Sequence, residues 1–219
     1  MPTTSPRTTQ KDLDAALLRR VARERLSPAP PEFFIDAPLA SDFDLNPNAV
    51  PGNTTNLRSA AVLVPIVARE SLSVLLTVRT PHLSAHAGQI AFPGGKIESD
   101  DANPLAAALR EAEEEIGLAR MFVEPLGYLE PYRTGTGFVI TPAVGLVRPE
   151  FALTPDPEEV ADVFEVPLSF LMDDGNHRID SRTFGGSERR FYAMPYEQHY
   201  IWGATAGIIR SLHRKLFPA

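Results

Sequence analysis

Residues 94–118 read GGKIESDDANPLAAALREAEEEIGL. The paired glycines allow a close backbone approach to a ligand or a neighbouring segment. Asn103-Pro104 is a helix start, with Asn as N-cap and Pro at the first helical position, and Gly117 is a stop. Between these signals Leu105, Ala108, Leu109, Ala112 and Ile116 recur at helical spacing, which predicts a buried stripe. The opposite face is almost all carboxylate. Glu111 and Glu115 stand one turn apart, and Glu114 is three beyond Glu111 and four beyond Arg110. Like charges at that spacing cost an isolated helix about 0.2–0.5 kcal/mol per pair. Taken alone, EAEEE reads as a solvated helix face. A hard divalent cation with oxygen ligands would offset the repulsion, and Arg110 is placed to hold Glu114 by a charge-assisted pair.

Working outward, Ser59 to Val67 and Leu72 to Val78 are β-branched and aliphatic runs that predict two strands around a short polar turn. They lead to Arg79 and to a loop, Thr80 to Ala91, with His82 and His86. Phe122 to Leu129 and Val139 to Val147 predict strands on the far side of the helix. The loop between them holds Tyr132 and Arg133 beside two glycines and reads equally as a hairpin turn or as a source of stacking and phosphate contacts. A further strand pair is predicted at Arg178 to Phe184 and Arg190 to Met194, followed by a helix from Ala204 to Phe217 with Ile208, Ile209, Leu212 and Leu216 inward. At the other end, residues 1–9 are polar, Lys11 to Leu26 predicts a helix, and Ser27 to Asn56 predicts an irregular wrap anchored by Phe33, Phe34 and Ile35. These divisions place an N-terminal extension at 1–57 and one folded domain at 58–219.

The chain of 219 residues is 43% hydrophobic, enough for one domain with a real core. It has no cysteine, which excludes disulfides, thiolate zinc sites and cysteine nucleophiles. A net charge of −7 argues against broad nucleic-acid binding. The absence of a long apolar run and of a signal-peptide pattern predicts no membrane partner and a cytoplasmic location.

These residues resemble the Nudix hydrolase family, whose box runs Gly, five residues, Glu, seven residues, then Arg-Glu-aliphatic-any-Glu-Glu-any-Gly-aliphatic. Gly95 matches the first glycine, and Arg110, Glu111, Ala112, Glu114, Glu115, Gly117 and Leu118 match the second half. Asp101 stands in place of the first Glu, and the spacer after it is one residue longer than the family's. A longer spacer with Asp is similar to the coenzyme A pyrophosphatase branch. Leu75 to Gly95, LLTVRTPHLSAHAGQIAFPGG, also resembles that branch's marker segment at Leu75, Leu76, Thr77, Arg79, Gly88, Phe92, Pro93, Gly94 and Gly95. Thr80 replaces a Ser or Ala there, and Ser84 replaces an Arg.

The resemblance implies an α/β Nudix fold, a mixed β-sheet sandwiched between α-helices, and hydrolysis of a nucleoside diphosphate linked to another group. It implies Mg2+ or Mn2+ at Glu111 and Glu115, with Glu114 and the Gly95 carbonyl contributing. For the general base it leaves open Glu114 within the box and Glu158, Glu159 or Glu165 from the later segment, and it assigns Arg110 to orientation. Arg79, His82, His86, Lys96 and Arg133 are candidates for substrate phosphates by charge and loop position. The branch implies coenzyme A or its thioesters as the small-molecule partner. ADP-ribose, a dinucleotide or a nucleoside triphosphate as substrate, or a non-catalytic nucleotide-binding regulator, are the alternatives. A homodimer is one option for a chain whose oligomeric state the sequence leaves open.

Overall fold

The computed structural model describes residues 13–32, 40–41, 43–46, 57–82, 88–184 and 186–218. The expectations for residues 1–9, for Phe33, Phe34 and Ile35, and for Ser84 and His86 lie outside the described residues.

The first helix, α1 (Ala15–Arg25), is capped by Asp14, whose carboxylate accepts the Leu17 amide at 2.8 Å. A two-residue strand, β1 (Ala40–Ser41), precedes the long β2 (Arg58–Val67), and a turn returns the chain as β3 (Ser73–Arg79). The short β4 (Ile90–Ala91) and β5 (Gly94–Lys96) lead into α2 (Pro104–Ile116). Four strands follow, β6 (Val123–Tyr128), β7 (Tyr132–Arg133), β8 (Phe138–Val147) and β9 (Val160–Pro167). The single turn α3 (Leu168–Leu171) then connects to β10 (Arg178–Phe184), β11 (Ser187–Tyr196) and β12 (His199–Trp202) before α4 (Ala204–Leu216).

At the centre β2 and β8 run parallel and pair along their full length, from Arg58 opposite Phe138 to Val67 opposite Val147. A parallel pair needs a long crossover, and α2 lies within it. Side chains of a strand alternate between faces. Accordingly, Ala61, Leu63 and Val67 of β2 pack with Ala107, Ala108, Ala112 and Ile116 of α2, whereas Val64 and Ile66 pack with Leu18, Val21, Ile209 and Leu212 of α1 and α4. The mixed sheet is therefore covered by helices on both faces, and both faces of β2 are buried, as its near-continuous apolar sequence requires. Helix α1, assigned by sequence to an extension, contributes Leu18, Val21, Ala22 and Leu26 to this core.

On one side β2 has two partners. Its C-terminal end pairs with β3 at Ile66–Val74 and Val67–Ser73, and its N-terminal half pairs with β5 at Ala60–Lys96, Ala61–Gly95 and Val62–Gly94. The end of β3, with Arg79, and the glycine turn of β5 thus converge on the carboxylate face of α2. A second, three-stranded antiparallel sheet, β10-β11-β12, stands beside the main sheet. Here the structure adds to the sequence reading: His199–Trp202 is a strand as well as the lead into α4.

The helix boundaries follow their signals. The Asn103 side chain accepts the Ala106 amide at 3.0 Å, and Gly117 has φ of 71°, with its amide on the Glu113 carbonyl and that of Leu118 on Ala112. This reciprocal pairing satisfies carbonyls the helix leaves free. The buried stripe differs in detail. Ala107 is fully buried while Leu105 and Leu109 are partly covered, because the sheet lies over the alanine side of the helix and only small residues fit that close. Replacing Asn103 by Ala removes the cap and is expected to lower unfolding free energy by about 1 kcal/mol, read as a lower urea midpoint at unchanged slope.

Candidate active site

Arg110 is the hub of the carboxylate face. Its Nε and Nη2 grip the two oxygens of Asp101 at 3.2 and 3.0 Å, while Nη1 donates to Glu111 at 3.1 Å and to Glu114 at 2.9 Å. Nη2 also donates to the Lys96 carbonyl at 3.2 Å. The fork on Asp101 is the bidentate arrangement that fixes a guanidinium in orientation. The Arg110 hydrogen bond, joined by the Glu98 amide, holds the Asp101 carboxyl below its ordinary range. Asp101 is thus spent on Arg110 and does not line the cleft.

The turn before the helix sits against these acids. A Cβ on Gly95 would lie 2.5 Å from the Glu111 carboxylate, and one on Gly94 would lie 2.4 Å from the Ala61 carbonyl oxygen. Backbone blocks any other residue at Gly94, whose φ is 150°, whereas at Gly95 a side chain would displace the Glu111 carboxylate. The Gly94 amide donates to Glu115 at 3.1 Å, and Arg79 reaches the other Glu115 oxygen at 3.4 Å. Glu115 is only 4% exposed. Burial pushes its carboxyl up to about 7; the Gly94 amide and Arg79 act against that rise, and Glu111 and Glu159 add to it. Glu111 is raised by burial too, against the pull of Arg110.

Glu159 arrives from a separate segment. The Thr154 and Asp156 amides cap the helix by donating to the carbonyls of Ile116 and Glu115, each at 2.9 Å. Thr80 then ties the following residues down, its amide donating to the Glu159 carbonyl at 3.0 Å and its hydroxyl to that of Glu158 at 3.0 Å. Glu111, Glu115 and Glu159 line one wall of a cleft of about 910 Å3, with Arg79 and Lys96. The opposite lobe is built from residues without a sequence signal of their own. Phe43, Phe138, Phe191 and Trp202 supply rings, and Arg189 and Arg190 supply charge. Phe191 and Trp202 pack with ring centroids 5.0 Å apart. Asn46 clasps the backbone of Arg190 in both directions at 2.8 Å, which holds residues 43–46 over β11. Only the pairing of β11 with β12 brings Phe191 and Trp202 together, so no local pattern could have announced them.

The other candidates separate. Arg79 and Lys96 line the cleft, whereas His82 does not; its Nε2 is 3.1 Å from the Glu158 carbonyl on the exposed side. Arg133 lies outside the lining as well, its guanidinium 5.8 Å from the Phe43 ring. Glu114 is 61% exposed and turned onto Arg110. Glu158 is exposed and absent from the wall that Glu159 joins. Glu165, one of the four base candidates, is directed elsewhere: Arg69 holds both its oxygens, at 2.7 and 3.2 Å, and Ser73 donates to it as well. The strand alternation of β9 sends it there, opposite Leu75 of β3.

The model of the NUDIX domain family matches residues 57–184. The chain is 46% identical to the Uncharacterized Nudix hydrolase NudL of Citrobacter koseri over 173 residues, 78% of this chain and 90% of that protein. It is 45% identical to NudL of Escherichia coli K12, with the same coverage. Among solved structures it is similar to the NUDIX domain of Shewanella oneidensis NrtR complexed with ADP ribose, at 18% identity and a TM-score of 0.48, over 78% of this chain and 95% of that one.

Glu165 supplies a pH prediction. Burial would raise its carboxyl, but the hydrogen bonds from Arg69 and Ser73 outweigh burial and leave it below the ordinary value of 4.5. A depressed folded pKa stabilises the fold above the unfolded value and loses that contribution as pH falls through the folded one. Glu165→Gln is therefore expected to melt below wild type at neutral pH, with the gap closing as pH drops below about 4, and to retain turnover.

Proposed function

The chain belongs to the Nudix hydrolase family, and from that premise we propose that it cleaves the diphosphate of coenzyme A or its thioesters to phosphopantetheine, or acyl-phosphopantetheine, and adenosine 3′,5′-bisphosphate. The observation that carries this reading is that a single cleft joins the box carboxylates to a lobe of aromatic rings and paired arginines. Coenzyme A has a diphosphate at its centre, an adenine suited to stacking on rings such as Phe191 and Trp202, and a ribose phosphate suited to Arg189 and Arg190. The marker segment supports the same reading, since Arg79, Phe92, Gly94 and Gly95 all line that cleft.

The donor set fits Mg2+ or Mn2+. Its members are hard oxygens, and a carboxyl that burial drives up to about 7 in spite of Arg79 would be held ionised by a further positive charge. Glu111 and Glu115 would hold the ion, with the Gly95 carbonyl contributing, while Glu114 stays on Arg110. When bound, the ion neutralises charge gathering on the phosphoryl oxygens and lowers the pKa of water. Arg79 and Lys96 hold the diphosphate oxygens in register. Glu159, on the cleft wall and free of the Arg110 network, takes the proton from the attacking water. The water oxygen bonds to phosphorus, the bridging P–O bond breaks, and the second phosphate leaves with that oxygen. Arg110 keeps Glu111 and Glu114 in place and transfers no proton, because a guanidinium does not deprotonate in proteins.

Incubation with coenzyme A and Mg2+ is expected to release phosphopantetheine and adenosine 3′,5′-bisphosphate, identified by mass. Cleavage of ADP-ribose or a dinucleotide with coenzyme A untouched would remove the substrate assignment. Absence of product from every diphosphate tried would indicate a binding protein. Glu115→Gln should abolish turnover with the fold intact, and Glu159→Gln should lower kcat by about 100-fold or more. Arg190→Ala should raise KM for coenzyme A about tenfold and leave KM for dephospho-coenzyme A nearly unchanged.

A further inference from the structure

Outside the cleft, Asp174 and His177, neighbours in sequence, converge with the distant His213. Asp174 opens the 3-10 turn Asp174–Asn176, His177 follows that turn, and His213 lies on α4. Their donor atoms lie within 4.8 Å of one another, and none lines the cleft. His177 Nδ1 is 3.8 Å and His213 Nδ1 is 3.6 Å from Asp174 Oδ1. Ligands around a tetrahedral ion with bonds of about 2.0–2.1 Å stand about 3.4 Å apart, so the spacing is close to that of a metal site.

The imidazoles are prepared for such a role. His177 Nε2 is 2.7 Å from the Leu171 carbonyl, which can only accept, so Nε2 carries the hydrogen and Nδ1 presents its lone pair inward. A carbonyl on the outer nitrogen of a histidine is the arrangement that orients metal-bound imidazoles. The His177 side chain is 1% exposed. His213 is nine-tenths buried, and its Nδ1 has no hydrogen-bond partner among the described residues. Asp174 Oδ1, at 3.6 Å, is too far to bond it. The guanidinium of Arg210 stands in the gap, with Nη1 2.9 Å from His177 Nδ1 and 3.4 Å from Asp174 Oδ1, and its own Nε is buried without a partner among the described residues. A positive charge is thus already accepted at this point, yet it serves two of the three donors.

We propose that Asp174, His177 and His213 form a second metal site, taking a zinc-class transition ion through two imidazole nitrogens and one carboxylate oxygen. Imidazole donors favour zinc, cobalt or nickel over magnesium, which the all-oxygen set of the cleft favours. Asp174 is 68% exposed, which leaves an entry path and room for water as a fourth ligand. Arg210 is 26% exposed, so its guanidinium can withdraw towards solvent when an ion enters. The bound ion ties α4 to the turn that feeds β10. Because Thr205 and Ile208 of α4 and Arg189, Arg190 and Phe191 of β11 line the cleft, the ion braces the walls of that lobe.

The test is titration of EDTA-treated full-length protein with Co2+ in excess Mg2+, read by visible d–d absorption and by displacement with Zn2+. One Co2+ per chain is expected. Asp174→Ala, at an exposed position that keeps the fold, should weaken binding about tenfold or more, and His213→Gln should abolish it. Arg210→Met, which removes the resident charge, should tighten it about tenfold, and Glu115→Gln should leave the spectrum unchanged. Circular dichroism melts confirm that each variant is folded. A missing Co2+ spectrum, one that survives both Asp174→Ala and His213→Gln, or one lost in Glu115→Gln would overturn the proposal.

Discussion

The site depends on one guanidinium. Arg110 binds Asp101 with a fork, touches Glu111 and Glu114 with the remaining nitrogen, and takes the Lys96 carbonyl of the glycine strand. A helix with this many acids on one face would repel itself and the strand below it. With Arg110 in place the charges are distributed, and the acidic loop, the glycine turn and the helix become one rigid piece. The energy of each exposed pair is small. Their value lies in geometry, because the network leaves Glu111 and Glu115 facing the cleft while Glu114 and Asp101 are held back.

Against this piece the sheet supplies the rest. The two partners of β2 bring Arg79 and Gly94–Lys96 to the same edge, and the glycine at 95 lets the Glu111 carboxylate lie where a Cβ would displace it. The loop that caps the C-terminal carbonyls of α2 runs on to Glu159, so the structural act of ending the helix also delivers the third acid. The small sheet and residues 43–46 complete the opposite lobe, joined by the Asn46 clasp on Arg190.

What the sequence disclosed follows a physical division. Asn103, Pro104 and Gly117 act within one helical turn, so their cap and stop roles could be read locally, and the chain folds there as they dictate. The apolar runs of β2 and β8, alternating along the chain with amphipathic helices, likewise carried the α/β sandwich. Side-chain direction was legible wherever the helical period fixes it, as for Glu111 and Glu115. It was not legible where strand register decides. Glu165 and Glu159 are the same residue type in one segment, yet the pleat of β9 aims one at Arg69 and the preceding loop puts the other on the cleft wall. Arg189, Arg190, Phe191 and Trp202 depend on long-range strand pairing, and His177 meets His213 only because α4 packs beside the turn before β10. His82 and His86 share one loop in the sequence, whereas His177 and His213, which converge in space, stand on separate elements.

In the proposed mechanism, Glu111 and Glu115, presented by Arg110 and the glycine turn, make the cleft a divalent-cation site. Electron paramagnetic resonance of Mn2+ added to the metal-free protein measures this directly. Wild type and Glu113→Gln, whose side chain points outward to Arg120, should deplete the free Mn2+ signal equally, and Glu115→Gln should leave that signal undiminished. Equal depletion by Glu115→Gln and wild type would contradict the account.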